Sequence, residues 1–142
     1  PELLSGEQIV NTNRAGNILR SSLYVCPVCG NVICAAGAAL ISCCGVALPP
    51  LEAEEPDAAH RLELEELDGE YCVSLDHEMS KSHFISWIAR STSDRFELVK
   101  LYPEGGCQVR FPRRGTGCLY WYCNRHGLFR QRLSHGPRTA LG

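Results

Sequence analysis

The feature that most constrains this chain is its cysteine content, nine cysteines in 142 residues. Four of them form two pairs, Cys26-x-x-Cys29 and Cys43-Cys44, and a glycine follows each pair. The odd number of cysteines and the absence of a signal-peptide pattern disfavour a secreted disulfide framework. Two thiolate pairs, each beside a glycine that lets the chain turn, predict a tetrahedral sulfur site for Zn²⁺ or a single iron ion.

The spacing of the four cysteines does not decide between iron and zinc. A redox disulfide between Cys26 and Cys29 and a purely structural zinc knuckle are the competing interpretations. Cys34 lies between the two pairs, and we expect it to be a small buried apolar residue, as free cysteines commonly are.

Changes of composition along the chain predict four segments. Residues 1–21 form an N-terminal extension in which Ser5-x-x-Gln8 resembles a capping box, so a short helix is expected there. Residues 22–50 hold the four clustered cysteines, and residues 51–59, which begin after Pro49-Pro50, form an extended acidic linker. Residues 60–142 carry the alternating pattern that is typical of strands.

The strand pattern predicts a mainly β chain. Leu62 and Leu64 alternate with acidic residues, Asp68-Gly69 is a two-residue hairpin signal, and Trp87 and Trp121 are expected in the core. Short strands at this spacing indicate a β-sandwich. The predicted strands cover residues 62–67, 71–75, 83–88, 96–102, 107–111 and 118–123.

Charge is unevenly distributed, although the net charge is only −2. Residues 51–99 carry 13 acidic and four basic side chains, and residues 100–142 carry eight basic and one acidic. The two halves either face each other across one fold or form a positive patch that attracts a small anion. The net charge argues against nucleic-acid binding, and no stretch reaches the roughly 18–20 apolar residues of a membrane span.

A second group of potential metal ligands lies in the β region. It comprises His60, His77, His83, His126 and Cys123, with Cys123 and His126 three residues apart before a glycine. Imidazole and thiolate together suit iron, copper or zinc, although a lone histidine such as His60 is also compatible with a purely structural role. Five such ligands would leave one position of an octahedral iron ion open for a small substrate.

Together these motifs resemble the desulfoferrodoxin family, the two-centre form of superoxide reductase. The resemblance covers about residues 22–130 and is highly specific because three separate motifs combine. It is carried by Cys26-x-x-Cys29 with Cys43-Cys44-Gly45, by His77-x-Met79-x-x-x-His83-x-Ile85-x-Trp87-Ile88, and by Cys123-Asn124-x-His126-Gly127.

The resemblance implies a small desulforedoxin-like metal-binding domain followed by an immunoglobulin-like β-sandwich. It implies a tetrathiolate iron at the four clustered cysteines, with zinc as the alternative in recombinant protein. It also implies a catalytic Fe²⁺/Fe³⁺ centre with equatorial His60, His77, His83 and His126 and axial Cys123. The implied reaction is one-electron reduction of superoxide to hydrogen peroxide in the cytoplasm by a homodimer that takes electrons from a rubredoxin-like donor.

The sequence departs from the family pattern beside two of these histidines. The family commonly has Glu-Lys directly before the first histidine, where this chain has Ala58-Ala59. Positive charge to guide superoxide would then come from Arg61, Lys81 or Arg125. A non-catalytic iron electron-transfer protein and a zinc-stabilised interaction module are the alternative functions.

The second departure lies in the His77 segment. The family proline after that histidine is replaced by Glu78, which we expect to be neutral in effect.

Overall fold

The computed structural model describes residues 18–37, 39–113 and 116–133. These residues contain eleven strands and two short 3-10 helices, Ile18–Arg20 and Ala58–His60. The helix predicted from Ser5 lies outside the described residues. The strands are β1 (Ser22–Val25), β2 (Val32–Ala35), β3 (Ile41–Cys43), β4 (Val46–Leu48), β5 (Leu62–Leu67), β6 (Glu70–Leu75), β7 (Ile85–Ser91), β8 (Phe96–Lys100), β9 (Gln108–Pro112), β10 (Gly117–Cys123) and β11 (Gly127–Leu133).

Strands β5 to β11 form two antiparallel sheets that pack face to face. One sheet has the order β5-β6-β9, and the other has the order β11-β10-β7-β8. If the seven strands are lettered A to G, the sheets are A-B-E and D-C-F-G, which is an immunoglobulin-like arrangement. The predicted fold class, mainly β with such a sandwich, is confirmed. No helix within the described residues is both long enough and apolar enough to cross a membrane.

The four-stranded sheet is buried on both of its faces. On β10, Leu119 and Trp121 point between the sheets, while Tyr120 points to the outer face. There it joins Trp87 of β7 and is covered by Leu23 of β1. Because both faces are buried, nearly every residue of β7 and β10 is buried, instead of every second one. The expectation that Trp87 and Trp121 are core residues is confirmed, but they lie on opposite faces of one sheet.

Two hairpins turn through a pair of residues with positive φ. Asp68 and Gly69, with φ of 51° and 77°, join β5 to β6, as the sequence predicts. Cys44 and Gly45, with φ of 54° and 74°, join β3 to β4 in the same way. Positive φ at both central residues is the mark of a type I′ turn, which favours glycine at the second position. The predicted sharp bend at Gly45 is therefore a hairpin turn.

The acidic and basic halves of the chain meet in the three-stranded sheet. Arg110 on β9 pairs with Glu70 on β6 at 3.2 Å, and Arg113 pairs with Glu66 at 2.9 Å. These pairs are partly exposed, so each adds little stability, about 0–1 kcal/mol. They favour the interpretation in which the charge asymmetry reflects two halves facing each other.

The acidic linker is tied to the sandwich by main-chain hydrogen bonds. The amide of Glu54 donates to the carbonyl of Leu128 at 2.9 Å, and the amide of Arg130 donates back to Glu54 at 3.1 Å. Residues around Glu54 thus run beside β11. The segment boundaries drawn from the sequence stay predictions.

The structure corrects one expectation about an individual position and adds two features that the sequence did not predict, a 3-10 helix and a strand. Cys34 is exposed, although it lies opposite the buried Leu23 across the β1–β2 hairpin. His60 ends a 3-10 helix, and the first strand of the sandwich begins only at Leu62. Strand β11 was not predicted, since Arg130 and Arg132 interrupt its apolar pattern.

Gly117, the first residue of β10, lies close against the backbone at the end of β7. A Cβ atom there would overlap the carbonyl oxygen of Ser91 and lie 3.0 Å from its carbonyl carbon. Because backbone must shift to relieve the overlap, we expect Gly117→Ala to lower the free energy of unfolding by about 1–3 kcal/mol. Urea denaturation measures this loss. Gly106→Ala is the control, since nothing lies within 4 Å of its added Cβ, and an equal loss in both variants would contradict the prediction.

Candidate metal centres

The four clustered cysteines meet at one end of the β1–β4 segment. The turn between β1 and β2 carries Cys26 and Cys29, and the hairpin between β3 and β4 carries Cys43 and Cys44. Their four Sγ atoms all lie within 4.8 Å of one another. None of the nine cysteines forms a disulfide. The structure therefore brings together the predicted tetrathiolate set, and four convergent thiols of this kind fit a single Zn²⁺ or iron ion.

The thiols of this cluster strongly influence one another's ionisation. The amide of Cys29 stabilises the Cys26 thiolate and lowers the pKa of Cys26 to about 7. Interaction with Cys29 and the other neighbouring thiols raises the pKa of Cys44 to about 12. Without a cation the cluster cannot easily carry four negative charges, because each thiolate repels the next. A bound metal cation relieves that repulsion.

A second cluster lies at the end of the sandwich where β10 turns into β11. Its members come from the 3-10 helix (His60), the loop before β7 (His77 and His83) and the end of β10 (Cys123). One ligand atom from each lies within 4.8 Å of the other three. Cys123 is fully buried, so the cluster is closed towards the core.

The fifth predicted residue, His126, borders this cluster. Its Nδ1 atom lies 3.4 Å from Cys123 Sγ, across the tight β10–β11 turn. Its ring centroid is 4.8 Å from that of His60 and 5.1 Å from that of His83. The four imidazoles thus surround the sulfur, and all five side chains predicted from the sequence lie together.

Hydrogen bonds set which ring nitrogen each histidine turns inward. The Nδ1 atoms of His60 and His83 contact Asp57 Oδ1 at 2.7 Å and Glu78 Oε1 at 3.0 Å. The Nδ1 of His77 contacts the carbonyl oxygen of Glu78 at 2.6 Å. An Nδ1–H that donates to oxygen leaves Nε2 as the lone-pair atom.

Two of these inward nitrogens have no hydrogen-bond partner. Nε2 of His60 and Nε2 of His83 are both buried without one among the described residues. Burial also lowers the pKa of His77, which favours the neutral imidazole that binds metals. Buried nitrogens that lack a partner and converge beside a thiol fit a metal ion, because a metal satisfies them all at once.

Two further contacts hold the ligand-bearing segments in place. The indole Nε1 of Trp121 donates to the carbonyl of His60 at 2.9 Å in the core. Asn124 accepts from the amide of Phe84 at 2.9 Å and donates to the carbonyl of Ser82 at 3.1 Å. The loop before β7 is thereby fixed to the turn that follows Cys123.

A β-bulge lies at the first residues of β7. Tyr122 pairs with Trp87, but Cys123 pairs with Ile85, so Ser86 has no partner residue on β10. Bulges commonly change the direction of a side chain next to a functional site. Here the bulge lies directly opposite Cys123.

Sequence reasoning missed the two carboxylates that contact the histidines. Asp57 was read only as part of the acidic linker, although its position three residues before His60 is a helix-capping signal. Glu78 is expected to be a neutral replacement, which stays a prediction, but its backbone carbonyl contacts His77 and its carboxylate contacts His83.

The predicted positive residues lie close to the cluster. Lys81 is exposed on the loop between His77 and His83. Arg125 is exposed in the β10–β11 turn, and its Nε donates to the carbonyl of Ser82 at 3.1 Å. Both residues therefore place positive charge next to the segments that carry the histidines.

Comparison with known proteins confirms the resemblance seen in the motifs. The chain is 39% identical over 57 residues to a desulfoferrodoxin of Clostridium acetobutylicum, a match to 40% of this chain and 46% of that protein. It is 29% identical over 117 residues to a desulfoferrodoxin of Desulfarculus baarsii, a match to 76% of this chain and 93% of that protein. The chain thus matches about half of the first relative. No protein-family model matches it.

A solved structure supports the fold. The superoxide reductase of Treponema pallidum superposes with a TM-score of 0.69 at 21% identity, covering 79% of this chain and 98% of that one. This similarity extends over most of the described residues.

Proposed function

We propose that the protein is a superoxide reductase, which reduces superoxide to hydrogen peroxide by one electron. The observation that carries this proposal is the convergence of four imidazoles on the buried sulfur of Cys123. The histidines present nitrogen and the cysteine presents a single thiolate, a donor set that suits iron. The named relatives in Clostridium and Desulfarculus support the assignment.

Iron is the metal that fits this proposal, and bound iron would supply one electron to superoxide. The chain's own residues provide the setting for that chemistry. Three histidines, His60, His77 and His83, would bind through Nε2, while His126 would bind through Nδ1, the atom that faces the sulfur. Cys123 would supply the thiolate ligand, which is a strong electron donor to iron.

Charged side chains at the rim are proposed to draw superoxide in. Lys81 and Arg125 flank the cluster and take the place of the family lysine that is replaced here by Ala59. Positive charge near a small site raises the encounter rate of an anion, and salt weakens the effect.

The tetrathiolate cluster is proposed to hold a second iron, with zinc as its competitor in recombinant protein. A rubredoxin-like donor would return electrons, and the protein would act as a homodimer in the cytoplasm. The nine unpaired cysteines support a reducing compartment.

Metal analysis, a visible spectrum and pulse radiolysis test this function together. We expect two iron ions per chain, thiolate-to-iron absorption and a fast reaction with superoxide that forms peroxide without dioxygen. A colourless zinc protein would favour an interaction module, and a coloured protein that ignores superoxide would favour an electron carrier. Lys81→Ala and Arg125→Ala are measured in the same experiment, and unchanged rate constants at low salt would contradict the guidance role.

Cys29→Ser separates the two centres. Removing one of four thiolates opens the tetrathiolate site, so we expect its metal and its absorption to be lost. The histidine cluster lies in other segments of the chain, and mutations at separate, independent sites have little influence on each other. The rate constant for superoxide should therefore stay within about two-fold of the parent value. Iron content and pulse radiolysis on the same sample measure both effects. A parallel loss of superoxide reduction would show that the centres depend on each other.

A further inference from the structure

Glu78 makes three hydrogen bonds within the histidine loop. Its carbonyl oxygen is 2.6 Å from Nδ1 of His77, and its Oε1 is 3.0 Å from Nδ1 of His83. Its Oε2 accepts from the hydroxyl of Ser80 at 2.6 Å. One residue therefore contacts two of the four histidines, once through its backbone and once through its side chain.

The loop around Glu78 is closed by a second set of bonds. The amide of Ser80 donates to the carbonyl of His83 at 3.1 Å, and the amide of His83 donates to the Ser80 hydroxyl at 3.2 Å. Ser80 thus holds the carboxylate of Glu78 on one side and the backbone of His83 on the other. This arrangement orients the His83 ring before any metal is present.

We propose that Glu78 is a positioning residue for the histidine metal centre: its carboxylate holds His83 with Nε2 inward and lowers the reduction potential of the bound iron. The inference rests on the proposed function for the identity of the metal. A carboxylate that accepts the Nδ1–H of a metal-binding histidine fixes the tautomer and makes the imidazole a stronger donor. Stronger donation favours the ferric over the ferrous ion, so the potential falls.

The geometry indicates that the hydrogen bond, more than the bare charge, carries this effect. The side chain of Glu78 is 56% exposed, so water screens its charge at a distance. Nε2 of His83 is buried without a partner at the opposite end of the same ring. Asp57 makes the equivalent contact with His60 at 2.7 Å, which shows the same arrangement on a second histidine.

Two variants and one control test the role of Glu78. Glu78→Ala removes the acceptor, whereas Glu78→Gln keeps an oxygen acceptor of the same size without the negative charge. Both retain the backbone carbonyl that His77 contacts. Glu65→Ala is the control, because Glu65 is an exposed glutamate on β5, away from the cluster.

Iron-loaded protein is equilibrated with a chelator, and the iron at each centre is followed by its own absorption. We expect Glu78→Ala to weaken iron binding at the histidine centre about 10–100-fold, as removal of such a partner usually does. Glu78→Gln should lose less. The tetrathiolate iron is an internal reference and should be unchanged, as should both centres in Glu65→Ala.

A redox titration of the histidine centre supplies the second measurement. We expect its midpoint potential to rise in Glu78→Gln and further in Glu78→Ala. Unchanged iron affinity and unchanged potential in Glu78→Ala would overturn the inference. If the parent protein binds iron at the histidines but does not reduce superoxide, the proposed function fails, and the two variants still decide the role of Glu78. If the histidines bind no iron, both proposals fail.

Discussion

Cys123→Ser is expected to reduce the rate constant for superoxide by at least about 100-fold in iron-loaded protein. This is more than the activity lost, about 10–100-fold, when a residue that hydrogen-bonds to a metal ligand is removed. Cys123 is fully buried, and its sulfur lies 3.4 Å from Nδ1 of His126 and 3.7 Å from Nε2 of His77. A serine oxygen has nearly the same shape but is a poor electron donor, so the electronic effect of the thiolate is lost.

The matched control for this variant is Cys118→Ser. Cys118 lies on the same strand and is 7% exposed, but it faces the outer side of the sheet. It should keep the superoxide reaction and both absorption features. Pulse radiolysis on the two variants makes the comparison, with circular dichroism as the check on folding. Retention of more than a tenth of the parent rate in Cys123→Ser would refute the role of its sulfur.

Trp121→Ala should cost about 3–5 kcal/mol of unfolding free energy, the range for deleting a buried aromatic side chain. Trp121 is fully buried and stacks on Phe129 with ring centroids 6.2 Å apart. Its indole also donates to the carbonyl of His60. The substitution therefore removes core volume and the anchor of one histidine at once.

Urea denaturation measures this loss of unfolding free energy. Two further variants separate the contribution of the hydrogen bond from that of core packing. Trp121→Phe keeps an aromatic ring but removes the N–H donor, so it should lower the unfolding free energy less than Trp121→Ala does. About 1 kcal/mol of its loss would come from the missing hydrogen bond to His60. Tyr102→Ala removes an aromatic ring that is 65% exposed and should change stability little. A loss in Trp121→Ala no larger than that in Tyr102→Ala would contradict the central position of Trp121.

The parts of the structure that could be predicted are those encoded by neighbouring residues. Asp68-Gly69 identifies a hairpin because positive φ at two successive residues needs such a pair. Cys123 and His126 are three residues apart, so one tight turn brings them together. Cys44-Gly45 forms the same kind of turn, but cysteine is not among the residues that favour positive φ at the first position, so only its glycine signals the turn.

The missed features depend on contacts in space or on burial that the sequence does not display. The contact between the linker residue Asp57 and the ring of His60 depends on a 3-10 turn. The sequence signal for that turn is weak. The contact of Glu78 with His83 depends on how the loop closes around Ser80. Residue type alone predicts a buried Cys34, but the side chain is exposed even though its cross-strand neighbour Leu23 is buried.

The outer face of the four-stranded sheet has a consequence for how this gene can change. Leu23 and its neighbours in the first hairpin cover Trp87 and Tyr120. A deletion that removed the cysteine-bearing segment would leave these large rings in water, and a bare apolar patch favours aggregation. A shorter form of the protein without this segment would therefore need polar residues in place of Trp87 and Tyr120 on the outer face of the sheet.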